Sequence, residues 1–89
     1  MIKTIRHKGL KRFWEKNDTS KINPKHVDRL RLRLSVLDIA KVIDDIDTPG
    51  WRLHQLSNER WAINVSGNWR LTFEFIDGDV FVLDYEDYH

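Results

Sequence analysis

The fold is decided by the stretch RWAINVSGNWRLTFEFIDGDVFVLDY, residues 60–85. Apolar and polar side chains alternate through three segments of it, and a period of two residues predicts β-strands. The segments are separated by Ser66-Gly67-Asn68 and Asp77-Gly78, and Asp-Gly between alternating segments is the strongest short hairpin signal. A similar alternation over Trp51–Leu56 predicts a further strand. The C-terminal half is therefore predicted to be an antiparallel meander.

Two helices are predicted before the meander. The first covers Leu10–Lys16, and the second begins at Asn23-Pro24, where Asn can cap the helix and Pro is pre-set for its first position. Apolar residues in the second helix follow helical spacing in two sets that form one wide apolar face. These sets are Val27, Leu30, Leu34 and Leu37, and Leu32, Val36, Ile39 and Ile43. With a short strand predicted over Met1–His7, the fold class is α+β.

Length and composition predict one globular domain over residues 1–89. The chain is 40% hydrophobic and 33% charged and has no cysteine, which excludes a disulfide framework and Cys-ligated metals. No apolar run approaches the ~18 residues of a membrane span, and no secretory signal follows Met1, so we expect a cytoplasmic protein that does not contact membranes. Residues 1–34 carry eleven Lys or Arg against three acids, whereas residues 35–89 carry four against eleven. This asymmetry indicates contact with nucleic acid, unless the halves neutralise each other in the fold.

Basic and imidazole groups of the sheet form the first candidate site. Alternation puts Arg70 opposite the apolar residues of its strand, and Arg52 and His54 share one phase of theirs. Together with Arg60, these side chains are either collected on one face to bind an anion or are separate, solvated surface residues.

The C-terminal residues Asp87, Tyr88 and His89 form the second candidate site. All three are competent in proton transfer, although a frayed acidic tail is the ordinary state of such a terminus. The four histidines occur singly, and the four glycines form no nucleotide-binding motif. We therefore expect no metal and no cofactor.

Several stretches together resemble the HigB-like branch of the RelE/ParE superfamily, the toxins of bacterial type II toxin–antitoxin pairs. They are IKTIRHKGL (2–10), INPKHV (22–27), PGWRLH (49–54), VSGNWRLTF (65–73) and DYEDYH (84–89). The resemblance covers essentially the whole chain. It implies a compact fold of helices packed on an antiparallel sheet, and a ribosome-dependent endoribonuclease that cuts mRNA by 2′-OH attack without a metal.

The resemblance also implies roles for individual residues. The catalytic candidates are His54, Asp87, Tyr88 and His89. The two histidines would be the acid and the base in either order, Asp87 would orient a histidine, and Tyr88 would position the nucleotide or stack on it. The candidates for contact with RNA or its phosphate are Arg70, Arg52, Arg60, Asn68 and Trp69. Ser57 stands in a shortened loop where the family commonly has lysine, so Arg52 or Arg60 would have to supply the missing cation.

Partners follow from the same resemblance. The implied partners are a HigA-like helix-turn-helix antitoxin, translated mRNA and ribosomal RNA, with operator DNA reached only through the antitoxin complex. The residues predicted to dock on ribosomal RNA are Lys8, Lys11, Arg12, Lys25 and Arg29. Two other functions stay open: a gyrase-type inhibitor that shares the fold without nuclease chemistry, and a nucleic-acid-binding module. The combination of His54 with Asp87-Tyr88-His89 favours the nuclease.

Overall fold

Two helices pack on one face of a four-stranded antiparallel sheet in the computed structural model, which describes residues 1–88. The helices are α1 (Lys8–Lys16) and α2 (Val27–Ile39), with 3₁₀ turns at Pro24–His26 and Ile43–Ile46, and the strands are β1 (His54–Gln55), β2 (Arg60–Ser66), β3 (Trp69–Ile76) and β4 (Asp79–Asp87). The strands lie side by side in chain order. The predicted α+β class and its meander are confirmed.

Both predicted hairpins form with two-residue turns. Asp77 and Gly78 have φ values of 51° and 81°, and positive φ at both central residues is the type I′ geometry that matches strand twist. In the β2–β3 turn Gly67 has a φ of 55°, so a residue without a side chain stands at the first central position. These turns hold β2, β3 and β4 in one continuous ladder.

β4 departs from strict alternation at its centre. Alternation would place Val80 and Leu83 on opposite faces, yet both are fully buried. The pairing with β3 shifts between Thr72 and Glu74, and at this point Val82 has a φ of 51°, a region that β-branched residues rarely enter. This bulge resets the phase of the strand, so the residues that follow it face differently from what alternation along the whole strand predicts.

Residues 1–5 continue the sheet beyond β4 in the parallel direction. Ile2 pairs with Val80 and Ile5 pairs with Leu83. The predicted N-terminal strand therefore takes the form of two isolated bridges, one on each side of the bulge. The three-residue spacing of the two isoleucines matches the three-residue spacing of their partners.

The two helices supply the other half of the core. Leu30, Leu34 and Leu37 of α2 are fully buried in the same cluster as Leu71 and Phe73 of β3. α1 begins at Lys8 because the ring of His7 accepts a hydrogen bond from the backbone N–H of Leu10 at 3.0 Å.

α2 is shorter than predicted. It ends at Ile39, since Ala40 is extended with a ψ of 136°, and Ile43 falls in the following 3₁₀ turn. Leu32 and Ile39, from the second apolar set, are 57% and 73% exposed. Part of the wide apolar face thus points to solvent.

Two arginines of α2 hold the end of β2. Arg33 is buried and donates from Nε to the carbonyl oxygen of Asn64 at 2.8 Å, while Arg29 donates from Nη1 to that of Val65 at 2.9 Å. The ladder between β2 and β3 is irregular between Asn64 and Ser66, so these carbonyls take side-chain donors. Arg33 also lies over the ring of Trp51 at 4.7 Å. The pair fixes the backbone behind the sheet face described next.

Candidate active site

A cavity of about 510 Å³ opens on the sheet face opposite the helices. The residues that line it are Arg52, His54, Leu56, Asn64, Gly67, Asn68, Arg70 and Tyr88. Its volume lies within the ~300–1,000 Å³ of small-ligand sites. The basic residues Arg52 and Arg70 and the imidazole of His54, which sequence alternation put on one polar surface, lie together here.

Strand register sets the place of Arg70. On one side its Cα pairs with that of Asn64 in β2, and on the other with that of Glu86 in β4. The neighbours Leu71 and Phe73 face the core, so Arg70, one residue before Leu71, faces the cavity. A guanidinium is thus fixed in the middle of a sheet rather than on a loop.

His54 lies on the edge strand, with its ring orientation fixed by backbone. Its Nδ1 is 2.9 Å from the carbonyl oxygen of Arg52. Because a carbonyl only accepts hydrogen bonds, Nδ1 must carry the hydrogen, which leaves Nε2 as the proton-accepting atom of the neutral ring. Arg52 has a φ of 53°, and this left-handed turn brings its carbonyl back towards the imidazole two residues later.

Arg70 is held by a carboxylate and an aromatic ring. Its Nε donates to Oε1 of Glu86 at 3.0 Å, and Nη2 lies 3.0 Å from the same oxygen. The ring of Tyr88 covers the guanidinium, with 4.0 Å between Cζ and the ring centre. Tyr88 itself is fixed by its backbone N–H, which donates to the carbonyl oxygen of Asn68 at 2.6 Å. The last described residue is therefore ordered against the β2–β3 turn.

Three of the predicted site residues do not line the cavity. Arg60 pairs with Glu74 near the far end of β2. Trp69 faces the helices, where its ring packs on Tyr85 with centroids 4.7 Å apart. Asp87 pairs with Trp69 at the end of β4 and is exposed. His89 lies outside the described residues.

Three lining residues were not among the predicted candidates: Leu56, Asn64 and Gly67. Asn64 shares the polar phase of β2 with Arg60, so alternation was the signal that could have found it. Leu56 is 38% exposed and follows β1 directly, where no periodicity indicates a face. Gly67 enters because the hairpin turn itself forms part of the wall.

A buried polar pair lies beneath this end of the sheet. Nδ1 of His26 is 2.6 Å from the hydroxyl of Tyr85, and the ring of His26 also meets that of Trp69 edge-on at 5.6 Å. Burial lowers the pKa of His26, and nearby Arg29 lowers it further. Burial also raises the pKa of Tyr85. Both groups are therefore neutral near pH 7 and serve the packing of the sheet.

The residues predicted to dock on ribosomal RNA are exposed: Lys8, Lys11, Arg12, Lys25 and Arg29. Ser57 is exposed as well and exchanges backbone hydrogen bonds with Arg60 at 3.2–3.4 Å, so the loop after β1 is a tight turn. Within residues 1–88 no group of three or more His, Cys, Asp or Glu side chains is placed to hold a metal ion. None of the helices in that range is long and apolar enough to cross a membrane.

Comparison with known proteins gives two results. Residues 3–89 match a family described as the RelE-like toxin of the type II toxin–antitoxin system HigB. The chain is also 46% identical over 92 residues to "Endoribonuclease HigB" of Proteus vulgaris, and the alignment covers all of both chains.

Proposed function

Since this chain belongs to the HigB-like family of RelE-like toxins of type II toxin–antitoxin systems, we propose that it cuts mRNA on the translating ribosome. It is a toxin with endoribonuclease activity, as its relative's name states for that protein. The observation that carries the proposal is the shared cavity of His54, Arg70 and Tyr88.

RNA supplies its own nucleophile. The 2′-oxygen attacks the adjacent phosphorus, the bond from phosphorus to the 5′-oxygen breaks, and a 2′,3′-cyclic phosphate and a 5′-hydroxyl result. A base takes the proton of the 2′-hydroxyl and an acid returns one to the 5′-oxygen. The protein therefore has to align these atoms, move two protons and stabilise the charge on phosphorus.

His54 and His89 are the proposed acid–base pair. The hydrogen bond from Nδ1 of His54 to the carbonyl of Arg52 leaves Nε2 able to accept a proton, which favours His54 as the base. His89 would then protonate the leaving 5′-oxygen, and Asp87 would orient it. The roles of these last two residues rest on family resemblance.

Arg70 is the proposed phosphate ligand, because a guanidinium presents several N–H donors in a fixed plane. Tyr88 is 57% exposed beside it and offers a ring on which a base can stack. Arg52 lines the same cavity. It is therefore better placed than Arg60 to replace the cation lost at Ser57.

We further propose that the exposed basic residues of the N-terminal third dock on ribosomal RNA. A HigA-like helix-turn-helix antitoxin would hold the toxin inactive by covering that region, and it alone would contact operator DNA. The expected compartment is the cytoplasm, where translated mRNA is found.

His54→Asn tests the assignment. The Asn amide keeps an N–H donor for the carbonyl of Arg52 but cannot accept a proton as imidazole does. Without its antitoxin, the parent chain should arrest bacterial growth and cut mRNA inside open reading frames. The variant should cut about 10²–10⁴-fold more slowly with an unchanged unfolding midpoint.

Two outcomes contradict the proposal. If the protein cleaves free RNA as fast as it cleaves translated RNA, cleavage does not depend on the ribosome. If His54→Asn arrests growth as strongly as the parent does, His54 is not a catalytic residue. The control is Asn58→Ala, an exposed residue three positions beyond β1, which should leave the rate of cleavage unchanged.

A further inference from the structure

Hydrogen bonds from residues 1–88 engage one edge of the Arg70 guanidinium, while the ring of Tyr88 covers one of its faces. Nε and Nη2 both approach Oε1 of Glu86, each at 3.0 Å. The remaining three N–H bonds meet no acceptor among residues 1–88, and Arg70 lines the cavity. Among these residues, the guanidinium thus has one edge bonded to Glu86 and one edge without an acceptor.

The strand register places Glu86 for this contact. It stands directly across from Arg70 in the β3–β4 register, after the bulge at Val82 has set the phase of β4. The side chains of Arg70 and Glu86 are 18% and 37% exposed. Arg70 is therefore largely shielded from bulk solvent, and the strand register places the carboxylate of Glu86 beside it.

We propose that Glu86 is a positioning residue for the cleavage reaction, which holds one edge of Arg70 so that the other edge faces the scissile phosphate. This inference rests on the proposed function. Donors that are fixed before the reaction stabilise developing charge without reorganising. A mobile arginine would bind the phosphate of the substrate equally well but would stabilise the transition state less.

The carboxylate has two opposing effects that can be measured separately. Its negative charge weakens the attraction of the cavity for the phosphate of the bound substrate, which raises KM. Its fixed hydrogen bonds orient Arg70 for the more highly charged transition state, which raises kcat. Our proposal requires the second effect to be the larger.

Glu86→Gln separates the two effects in a cleavage assay on programmed ribosomes. We expect kcat to fall about tenfold, less than the ~10²–10³-fold for removing an oxyanion donor outright, because Arg70 is loosened rather than lost. KM for the mRNA should stay equal or fall. Glu86→Asp keeps the charge but is one methylene too short, so kcat should fall similarly while KM does not decrease.

The matched control is Glu74→Gln. Glu74 carries the same charge on the same strand as Arg70, but it pairs with Arg60 and lies outside the cavity lining. It should change neither constant. Single-turnover rates with saturating toxin test whether a lower kcat of Glu86→Gln comes from a smaller fraction of active protein. If Glu86→Gln matches or exceeds the parent in kcat, the carboxylate only opposes binding and the proposal is overturned.

A second measurement does not depend on activity. In ¹⁵N spectra of the His54→Asn protein without RNA, the Nε–H of Arg70 should be protected from exchange, and Glu86→Gln should remove most of that protection. Equal protection in both proteins would overturn the inference. If the parent chain cuts no RNA while this protection is seen, the proposed function fails and the contact between Glu86 and Arg70 stands.

Discussion

Replacing Arg33 by Met tests how the helices support the cavity. Arg33 is 7% exposed and its Nε donates to the carbonyl of Asn64 at 2.8 Å. Asn64 lines the cavity, and its own N–H donates to the carbonyl of Trp51. Met has a side chain of similar length to that of Arg, but it is apolar and has no hydrogen-bond donor. The change therefore removes the polar contacts while it keeps most of the side-chain volume.

The magnitude follows from the contacts that are lost. Leaving the carbonyl of Asn64 without its donor costs about 1–3 kcal/mol. Losing the guanidinium from the face of Trp51, 4.7 Å away, costs about 0.5–2 kcal/mol more. The weaker bond from Nη1 to the carbonyl of Arg29 at 3.2 Å is local to the helix. We expect the free energy of unfolding to fall by about 2–4 kcal/mol, allowing for partial relaxation.

Urea denaturation of the His54→Asn protein, followed by Trp fluorescence, measures this change without toxicity during expression. The control is Arg31→Met on the exposed face of the same helix. The exposed Arg31 stacks on Phe13 at 5.0 Å and donates a hydrogen bond to Oδ1 of Asn17 at the surface. Because these contacts are solvent-exposed on the arginine side, the loss of Arg31 should cost less than about 1 kcal/mol. If both variants lower the free energy of unfolding by the same amount, Arg33 does not stabilise the end of β2 in the way its contacts indicate.

Two further changes test the packing. Gly9→Ala would place a Cβ 2.5 Å from Cβ of Lys21, so either α1 or the segment that carries Lys21 has to shift. The free energy of unfolding should fall by about 1–3 kcal/mol, measured by thermal and urea unfolding; no loss would show that this contact relaxes freely. Because burial lowers the pKa of His26, the unfolded chain binds a proton more readily than the folded one. The free energy of unfolding should therefore decrease as the pH falls below the ordinary histidine value of 6.5, and His26→Gln should flatten that dependence; an unchanged slope in the variant would assign the dependence to other groups.

Local sequence signals predicted the parts of the fold that local chemistry controls. Asp77-Gly78 and Asn23-Pro24 act through their own backbone preferences, so a hairpin and a helix start appear where they stand. The bulge at Val82 left no such signal, because a β-branched residue does not favour positive φ. It is held instead by the N-terminal segment, through a bond from its N–H to Oγ1 of Thr4 at 2.8 Å.

The cavity was predictable in its face but not in its extent. Alternation put His54, Arg52 and Arg70 on the polar surface, and these three line the cavity. Alternation does not tell how far along a strand a site reaches, which is why Arg60 falls outside. Trp69 directly precedes Arg70 and so points to the other face, a consequence of the same alternation. Alternation also does not reveal which residues pair across neighbouring strands. The contact between Glu86 and Arg70 could therefore be identified only from the register of β3 and β4.

The parallel bridges between residues 1–5 and β4 bear on the timing of synthesis. Met1 donates its amino group to the carbonyl of Gly78 at 2.9 Å, and Ile2 and Ile5 pair with residues of β4. Residues 1–5 are made before both helices and must therefore wait for β4, which is made after them, before the sheet is complete, and closing so long a loop is slow. Arg70 and Tyr88 come together only after β4 has been made. The toxin thus cannot assemble its cavity until β4 and Tyr88 have been synthesised.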